Sequence, residues 1–304
     1  MEFGKITEHQ LNQTDFALLP DPPLTTHVLS ESKRKGNLQV YVGCSTWGHK
    51  EWKGNLFPAK LKDTDFLPEY VKHFNAVELN ATFYRMYDAP TIRKWKDKAA
   101  ANPDFKFCPK FNQLISHVRR LKNADELTTA FYESMLSFEE KLGPMFLQLN
   151  DNFGPKSYHE LESYLQSLPQ DLPVYTELRH HDWFAQTEVR NSVFEMMQRQ
   201  HIGAMITDTA GRRDCVHMHL TVPHAFIRFV GNGLHPTDYV RIDQWVERLT
   251  QWNKQGLQSV YLGMHQSDER ASPVLCDYFV KKINQKLHLN IVRPVLPPPN
   301  NTLF

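Results

Sequence analysis

Glu78, Lys110, Gln148, Glu177, Arg179, Asp208, Arg228 and His265 each close, or directly follow, a short apolar run, and Ser45 closes the first such run. Three carboxylates set against three cations is the make-up of an acid–base site joined to an anion clamp. A carboxylate moves protons when its neighbours tune its pKa. Arginine offers a rigid fork of donors that fits a carboxylate or phosphate. On this reading Glu177, Asp208, Glu78 and Lys110 are the catalytic candidates, with Glu177 or Asp208 as general base or acid. Arg179, Arg228 and Lys110 hold an anionic group. Asn80, Gln148, His180 and His265 add hydrogen bonds, and Trp47, Tyr84 and Trp183 supply flat walls. The expected ligand is small and anionic or sugar-like, and no cofactor is required.

Two other chemistries fit the same residues. Glu78, Glu177, Asp208 and His265 form a mixed carboxylate–imidazole set suited to Mn²⁺, Mg²⁺ or Zn²⁺, which would make a phosphoester-cleaving, nuclease-like enzyme or an isomerase. Three nearby cations oppose a bound ion, so metal and nucleic acid are the less favoured partners. Alternatively, the charges pair off as salt bridges that plug a non-catalytic, ligand-binding barrel. Glycoside hydrolysis needs two carboxyls about 5–5.5 Å or about 6.5–9.5 Å apart, and Glu177 and Asp208 on adjacent strands fit the shorter spacing. A Schiff base at Lys110 requires burial to lower its pKa, whereas a Lys110–Glu78 ion pair would keep it charged. The His217/His219 pair is weak evidence for metal, Cys44 reads as a buried structural thiol, and the basic stretch 117–122 lies beside the third run as a solvated loop.

These residues share a site only if their runs converge. Strands are expected at 40–44, 76–79, 105–109, 145–149, 174–178, 204–207, 225–229 and 259–264. Their Val, Ile, Phe and Tyr content and their Pro, Gly and Asn boundaries support this. Helices are expected at 64–73, 91–101, 124–142, 158–167, 188–201, 241–255 and 274–287, the third showing one apolar stripe from Leu127 to Leu142. Residues 210–224 read as an irregular loop. Strands that alternate with helices pair in parallel, and eight of them favour a TIM-type (β/α)8 barrel in a single α/β domain. No G-x-G-x-x-G follows an early strand, which argues against a doubly wound sheet. In a barrel, the last inward side chain of each strand opens onto the C-terminal mouth. The barrel is expected over 38–290, behind an irregular N-terminal arm (1–37, lying on the barrel or disordered, with a solvated basic run at Lys33–Arg34–Lys35). An extended Pro-rich tail over 291–304 follows it.

The 304 residues carry 35 Lys+Arg against 34 Asp+Glu, a net charge of +1, which gives no global attraction to nucleic acid or to an anionic membrane. No apolar run reaches the length of about 20 residues that spans a bilayer. The first residues lack a basic n-region followed by an apolar h-region. Four widely spaced cysteines form no C-x-x-C pair and suit a reducing compartment, so a cytoplasmic protein is expected.

The chain also resembles the domain of unknown function 72 (YecE-like) family, whose known structures are TIM barrels. The resemblance rests on Gly43-Cys44-Ser45-Thr46-Trp47, Trp52-Lys53-Gly54, Val77-Glu78-Leu79-Asn80-Ala81-Thr82-Phe83-Tyr84 and Phe105-Lys106-Phe107-Cys108-Pro109-Lys110. It continues through Leu142-Gly143-Pro144-Met145-Phe146-Leu147-Gln148-Leu149, Glu177-Leu178-Arg179-His180 with Trp183, and Asp208-Thr209. These segments run in order from about Val40 to the last helix. Two places depart from the family pattern. Arg228-Phe229-Val230-Gly231 lacks the His of the usual R-x-H-G, and Leu262-Gly263-Met264-His265-Gln266 replaces a Y-x-x-F-N-N-like run. The resemblance implies the barrel and brings no established activity, so function rests on the residues themselves.

Overall fold

A computed structural model describes residues 3–34 and 36–296. Eight strands occur where the apolar runs place them: β1 (Gln39–Cys44), β2 (Ala76–Leu79), β3 (Lys106–Pro109), β4 (Met145–Gln148), β5 (Val174–Glu177), β6 (Gly203–Asp208), β7 (His224–Val230) and β8 (Ser259–His265). All ladder pairings are parallel, but the strands form two sheets rather than one continuous ladder. Six strands run β1-β8-β7-β6-β5-β4 in a curled sheet, and β2 pairs with β3 in the other.

The two seams are joined differently. Between β3 and β4 there are isolated bridges, Phe107 with Leu142 and Lys110 with Phe146, and the Phe111 amide donates to the Phe146 carbonyl at 2.9 Å. Between β1 and β2 side chains take the place of the ladder. Asn75 Oδ1 accepts from the Val42 amide at 2.7 Å while its Nδ2 donates to the Val40 carbonyl at 2.8 Å. Tyr70 Oη accepts from the Cys44 amide at 2.7 Å and donates to the Ala76 carbonyl at 3.0 Å. Gly43 permits this closeness, because a Cβ there would lie 1.9 Å from the Ala76 carbonyl oxygen.

The helices are α1 (Glu8–Leu11), α2 (Pro23–Ser30), α3 (Phe66–Tyr70), α4 (Ala81–Tyr84), α5 (Ala89–Lys98), α6 (Asp125–Met135), α7 (Tyr158–Gln166), α8 (Asp182–Ala185), α9 (Thr187–Arg199), α10 (Pro236–Gln255) and α11 (Ser272–Leu287). Local chemistry sets their ends. Asp88 accepts from the Thr91 amide to start α5, and α10 begins with Pro236 in its first turn and stops at Gly256, at φ +124°. The long helix expected over 124–142 is shorter. It ends at Met135 and passes into a 3₁₀ turn in which Glu139 takes φ 51°, turning the chain so that Gly143 donates to the Phe107 carbonyl at 2.7 Å. No helix among the described residues is long and apolar enough to cross a membrane.

The described part of the N-terminal arm is irregular apart from two short helices, and it lies against the body. Thr7 and Gln10 cap α1 reciprocally, and Pro22 and Pro23 fix the backbone for the first turn of α2. The arm is tied to the body by the buried Thr25 hydroxyl, which donates to the Met218 carbonyl at 2.8 Å. Arg34 adds a bond from its guanidinium to the Asn253 carbonyl at 2.9 Å. In the expected basic run Arg34 is therefore bound rather than merely solvated, while Lys35 lies outside the described residues. In the tail, Arg293 pairs with Asp277, and residues 297–304 also lie outside them.

Packing has two layers. Cys108, Phe146, Tyr175, Met205 and Phe226, from β3 to β7, form one inner cluster with Tyr261 of β8 against it, and the larger apolar core lies between strands and helices. All four cysteines are buried free thiols.

Candidate functional site

The inner cluster fixes which side chains reach the C-terminal ends of the strands. Side chains alternate along a strand, so the residue two beyond each inner apolar residue is again inward. Lys110 follows Cys108 this way, Gln148 follows Phe146, Glu177 follows Tyr175 and Arg228 follows Phe226.

Arg228 is the hub. It is 1% exposed. Its Nη2 donates to Glu78 Oε1 at 2.6 Å, its Nε to Glu78 Oε2 at 3.3 Å and its Nη1 to Glu177 Oε2 at 2.5 Å. Glu78 also accepts from Asn80 Nδ2 at 3.0 Å and pairs with His265 Nε2 at 2.9 Å. Glu177 accepts from Gln148 Nε2 at 2.6 Å, Thr207 Oγ1 at 2.8 Å and Arg179 Nε at 3.2 Å. With Lys110, which donates to Gln148, seven strands or their immediate ends feed one hydrogen-bonded network. Gly263, opposite Arg228 in the β7–β8 register, makes room for it, because a Cβ there would lie 2.4 Å from Glu78 Oε2. Gly263→Ala is expected to cost about 1–3 kcal/mol through overpacking. Urea unfolding would read it as a lower midpoint with an unchanged slope.

The electrostatics separate the groups. Burial pushes both glutamates upward, but charge wins. Arg228 and His265 hold Glu78 well below the carboxylate range, and Arg179 and Arg228 hold Glu177 at about 2. Both are therefore ionised and saturated with donors near neutral pH, which suits neither to general acid–base work. Lys110 behaves in the opposite way. Burial, then the Arg228 charge, lower it to about 7. The expected Lys110–Glu78 ion pair does not form. Lys110 Nζ donates instead to the neutral Gln148 Oε1 at 2.8 Å, and it sits 4.0 Å from the centroid of the Phe83 ring.

Several expected members are elsewhere. Asp208 projects from the outer face of β6, where Arg241 Nη2 donates to Oδ1 at 2.8 Å and Trp245 Nε1 to Oδ2 at 2.7 Å, with Arg213 also bound to it. Thr207, its neighbour, is the inward residue. The proposed metal set therefore does not assemble. Asp208 is on the other face, and a guanidinium joins the two glutamates. Among the described residues no group of three or more His, Cys, Asp or Glu side chains is arranged to hold a metal. Trp183 is fully buried and donates to the Phe153 carbonyl at 2.7 Å. Trp47 packs edge-on against Trp95 and Phe107 in the outer layer. His180 lies against Gly154, and its Nδ1 accepts from the Asp182 amide at 3.1 Å. Tyr84, the third expected wall, is exposed and stands edge-on to Phe83.

Two groups were not foreseen. His117 packs edge-on to Phe83, and burial, then the nearby Lys110 charge, lower it to about 4. Phe3 of the arm lies over Arg179, 4.2 Å from guanidinium carbon to ring centroid. His117 falls within the 117–122 stretch beside the third strand, so position gave a hint. Phe3 gave none.

The model of the family described as "Protein of unknown function DUF72" matches residues 41–301. The chain belongs to this family. UPF0759 protein YecE of Escherichia coli K12 is a DUF72 relative in sequence, 30% identical over 254 residues that cover 78% of this chain and 89% of that protein. UPF0759 protein YunF of Bacillus subtilis is 28% identical over 155 residues, 48% of this chain and 52% of that protein. Crystal structures of DUF72 proteins share the fold. The one from Thermotoga maritima superposes with TM-score 0.63 at 20% identity, covering 81% of this chain and 99% of that one. The one from Enterococcus faecalis gives 0.61 at 18%, covering 84% and 99%. The arm residues 3–34 precede the part matched by the DUF72 model.

Proposed function

We propose that the two sheets together close a TIM-type (β/α)8 barrel whose C-terminal mouth is an enzyme site for a small anionic substrate. Lys110 is its proton-transfer group and Arg179 its anion-holding group. The seam contacts at Asn75, Tyr70 and the isolated bridges support the closure. The reading of the site rests above all on one observation: the Lys110 amine is buried with the uncharged Gln148 as its hydrogen-bond partner, and burial with the Arg228 charge beside it lowers its pKa to about 7. A base works best when its pKa lies near the working pH. Here that role passes from Glu177 and Asp208 to Lys110, and Glu78 and Glu177 act by fixing Arg228. Gln148 donates to Glu177 through Nε2, so its Oε1 is aimed at Lys110 and orients the amine. The chemistry fits a hydrolase, lyase or isomerase in which a proton leaves or joins the substrate beside the anion. Arg179 spends its Nε on Glu177, and its Nη1 is 3.9 Å from Asp151, an exposed carboxylate that an incoming anion can replace.

The test needs no substrate. In protein labelled with ¹³C-lysine, the Lys110 Cε resonance, assigned by its loss in Lys110→Met, is expected to titrate with a midpoint near 7. A midpoint above 9 overturns the reading. Stability gives a second readout. The folded pKa lies below the unfolded one, so between about 7 and 10 the unfolded chain binds more protons and stability rises with pH. Below 7 the penalty of burying the ammonium is fully present. Lys110→Met is therefore expected to melt several degrees higher than the parent at pH 6, with the gap closing towards pH 10.

A further inference from the structure

We propose that the faces of Arg179 and Arg212 form a subsite for a flat ring carried by the anionic substrate, and that Phe3 of the arm occupies it in place of ligand. This rests on the anion-site reading above and names the substrate class: an anion joined to an aryl or heteroaryl ring.

Phe3 is seated rather than draped. Its ring centroid is 4.2 Å from the Arg179 guanidinium carbon and 5.1 Å from that of Arg212. Both guanidiniums are held in place before any ring arrives. Arg179 Nε donates to Glu177, and Arg212 makes a fork to Asp214, with Nε to Oδ1 at 2.9 Å and Nη2 to Oδ2 at 2.7 Å. Arg212 Nη2 also donates to the Arg179 carbonyl at 2.7 Å. The backbone behind the ring is equally specific. Gly4 takes φ +71°, its carbonyl accepts from the Gly211 amide at 2.7 Å, and Thr209 Oγ1 donates to it at 3.2 Å. A Cβ on Gly4 would lie 2.4 Å from the Thr209 side chain. The loop after β6 is therefore shaped to receive Phe3–Gly4.

Two guanidinium planes attract any π face, so what Phe3 uses, a substrate ring can use. The edge of Arg179 remains for the anion, and its Nε is bonded directly to the Glu177–Gln148–Lys110 chain. Ring and anion then bind side by side, with the reacting atoms toward Lys110. The arm competes with the ring and not with the anion, and this distinction makes the subsite testable.

Isothermal titration of inorganic phosphate and phenyl phosphate into the full chain and Phe3→Ala measures both. Phe3→Ala is expected to bind phenyl phosphate roughly tenfold more tightly than the parent, the scale of a cation–π contact. Inorganic phosphate is expected to change by less than about twofold. Arg179→Met in the Phe3→Ala background is expected to abolish the phenyl phosphate gain and to weaken inorganic phosphate as well. Equal phenyl phosphate affinity in the parent and Phe3→Ala, with phosphate still bound, overturns the ring subsite and leaves the anion site standing. Failure of both anions to bind any variant at millimolar concentration overturns the anion site and the subsite with it. A chain lacking residues 1–5 repeats the comparison should Phe3→Ala melt differently from the parent.

Discussion

Arg228→Met is expected to lose about 3–5 kcal/mol of stability, the cost of leaving buried charge without its partner, and to lower the melting temperature by on the order of 10 °C. The loss comes from what Arg228 leaves behind. Glu78 and Glu177 are both below about 3% exposed, and each takes its shortest contact from this one guanidinium. Without it, only His265 opposes the burial of Glu78, whose carboxyl is expected to rise above its unfolded value, while Arg179 still holds Glu177 down. An acid with a raised folded pKa binds more protons when folded, so it favours the native state at low pH and loses that contribution as pH rises. The variant should therefore melt higher at pH 5 than at pH 7. Differential scanning calorimetry across that range checks it, and Arg228→Met/Glu78→Gln should recover part of the loss at pH 7. A variant as stable as the parent at pH 7 would mean that the pair of ion bridges contributes nothing net.

The second large effect concerns Asp208. Asp208→Asn is expected to cost about 3 kcal/mol near neutrality, because Arg241, itself fully buried, loses its main countercharge. Arg241 and Arg213 hold Asp208 at about 2 against the penalty of burial. Its contribution is therefore present above pH 4 and disappears as pH falls toward 2, and there the parent and Asp208→Asn should converge. The Lys110 titration should not move. A catalytic Asp208 would give the reverse pattern: little change in stability, and a shifted Lys110 midpoint.

Asp208 also marks where sequence reading stops. The eight strands were legible because their apolar runs are short, rich in β-branched and aromatic residues, and cut by Pro, Gly or Asn. Glu78, Lys110, Gln148, Glu177, Arg228 and His265 were legible from their places at the ends of those runs. In β6, however, both faces are buried, so Ala204, Met205 and Ile206 are all apolar and their sequence carries no alternation. Sequence alone makes the final polar residue, Asp208, the inward one, yet the inward set is Gly203, Met205 and Thr207. Trp183 and Trp47 have the types expected of a mouth, but each found its partner in the outer layer. Phe3 meets Arg179 across most of the chain, and local spacing encodes no such contact. The closeness of Lys110 to Gln148 rather than Glu78 likewise depends on how far apart neighbouring strands lie.

The β1–β2 seam has its own consequence. Elsewhere the wall is knitted by main-chain amides, which no point mutation short of proline can remove. Here the Asn75 carboxamide and the Tyr70 phenol serve as removable stitches, and both belong to residues that a single codon change can replace. Loss of either side chain would therefore loosen the join between the first two strands along the edge of the one that carries Glu78.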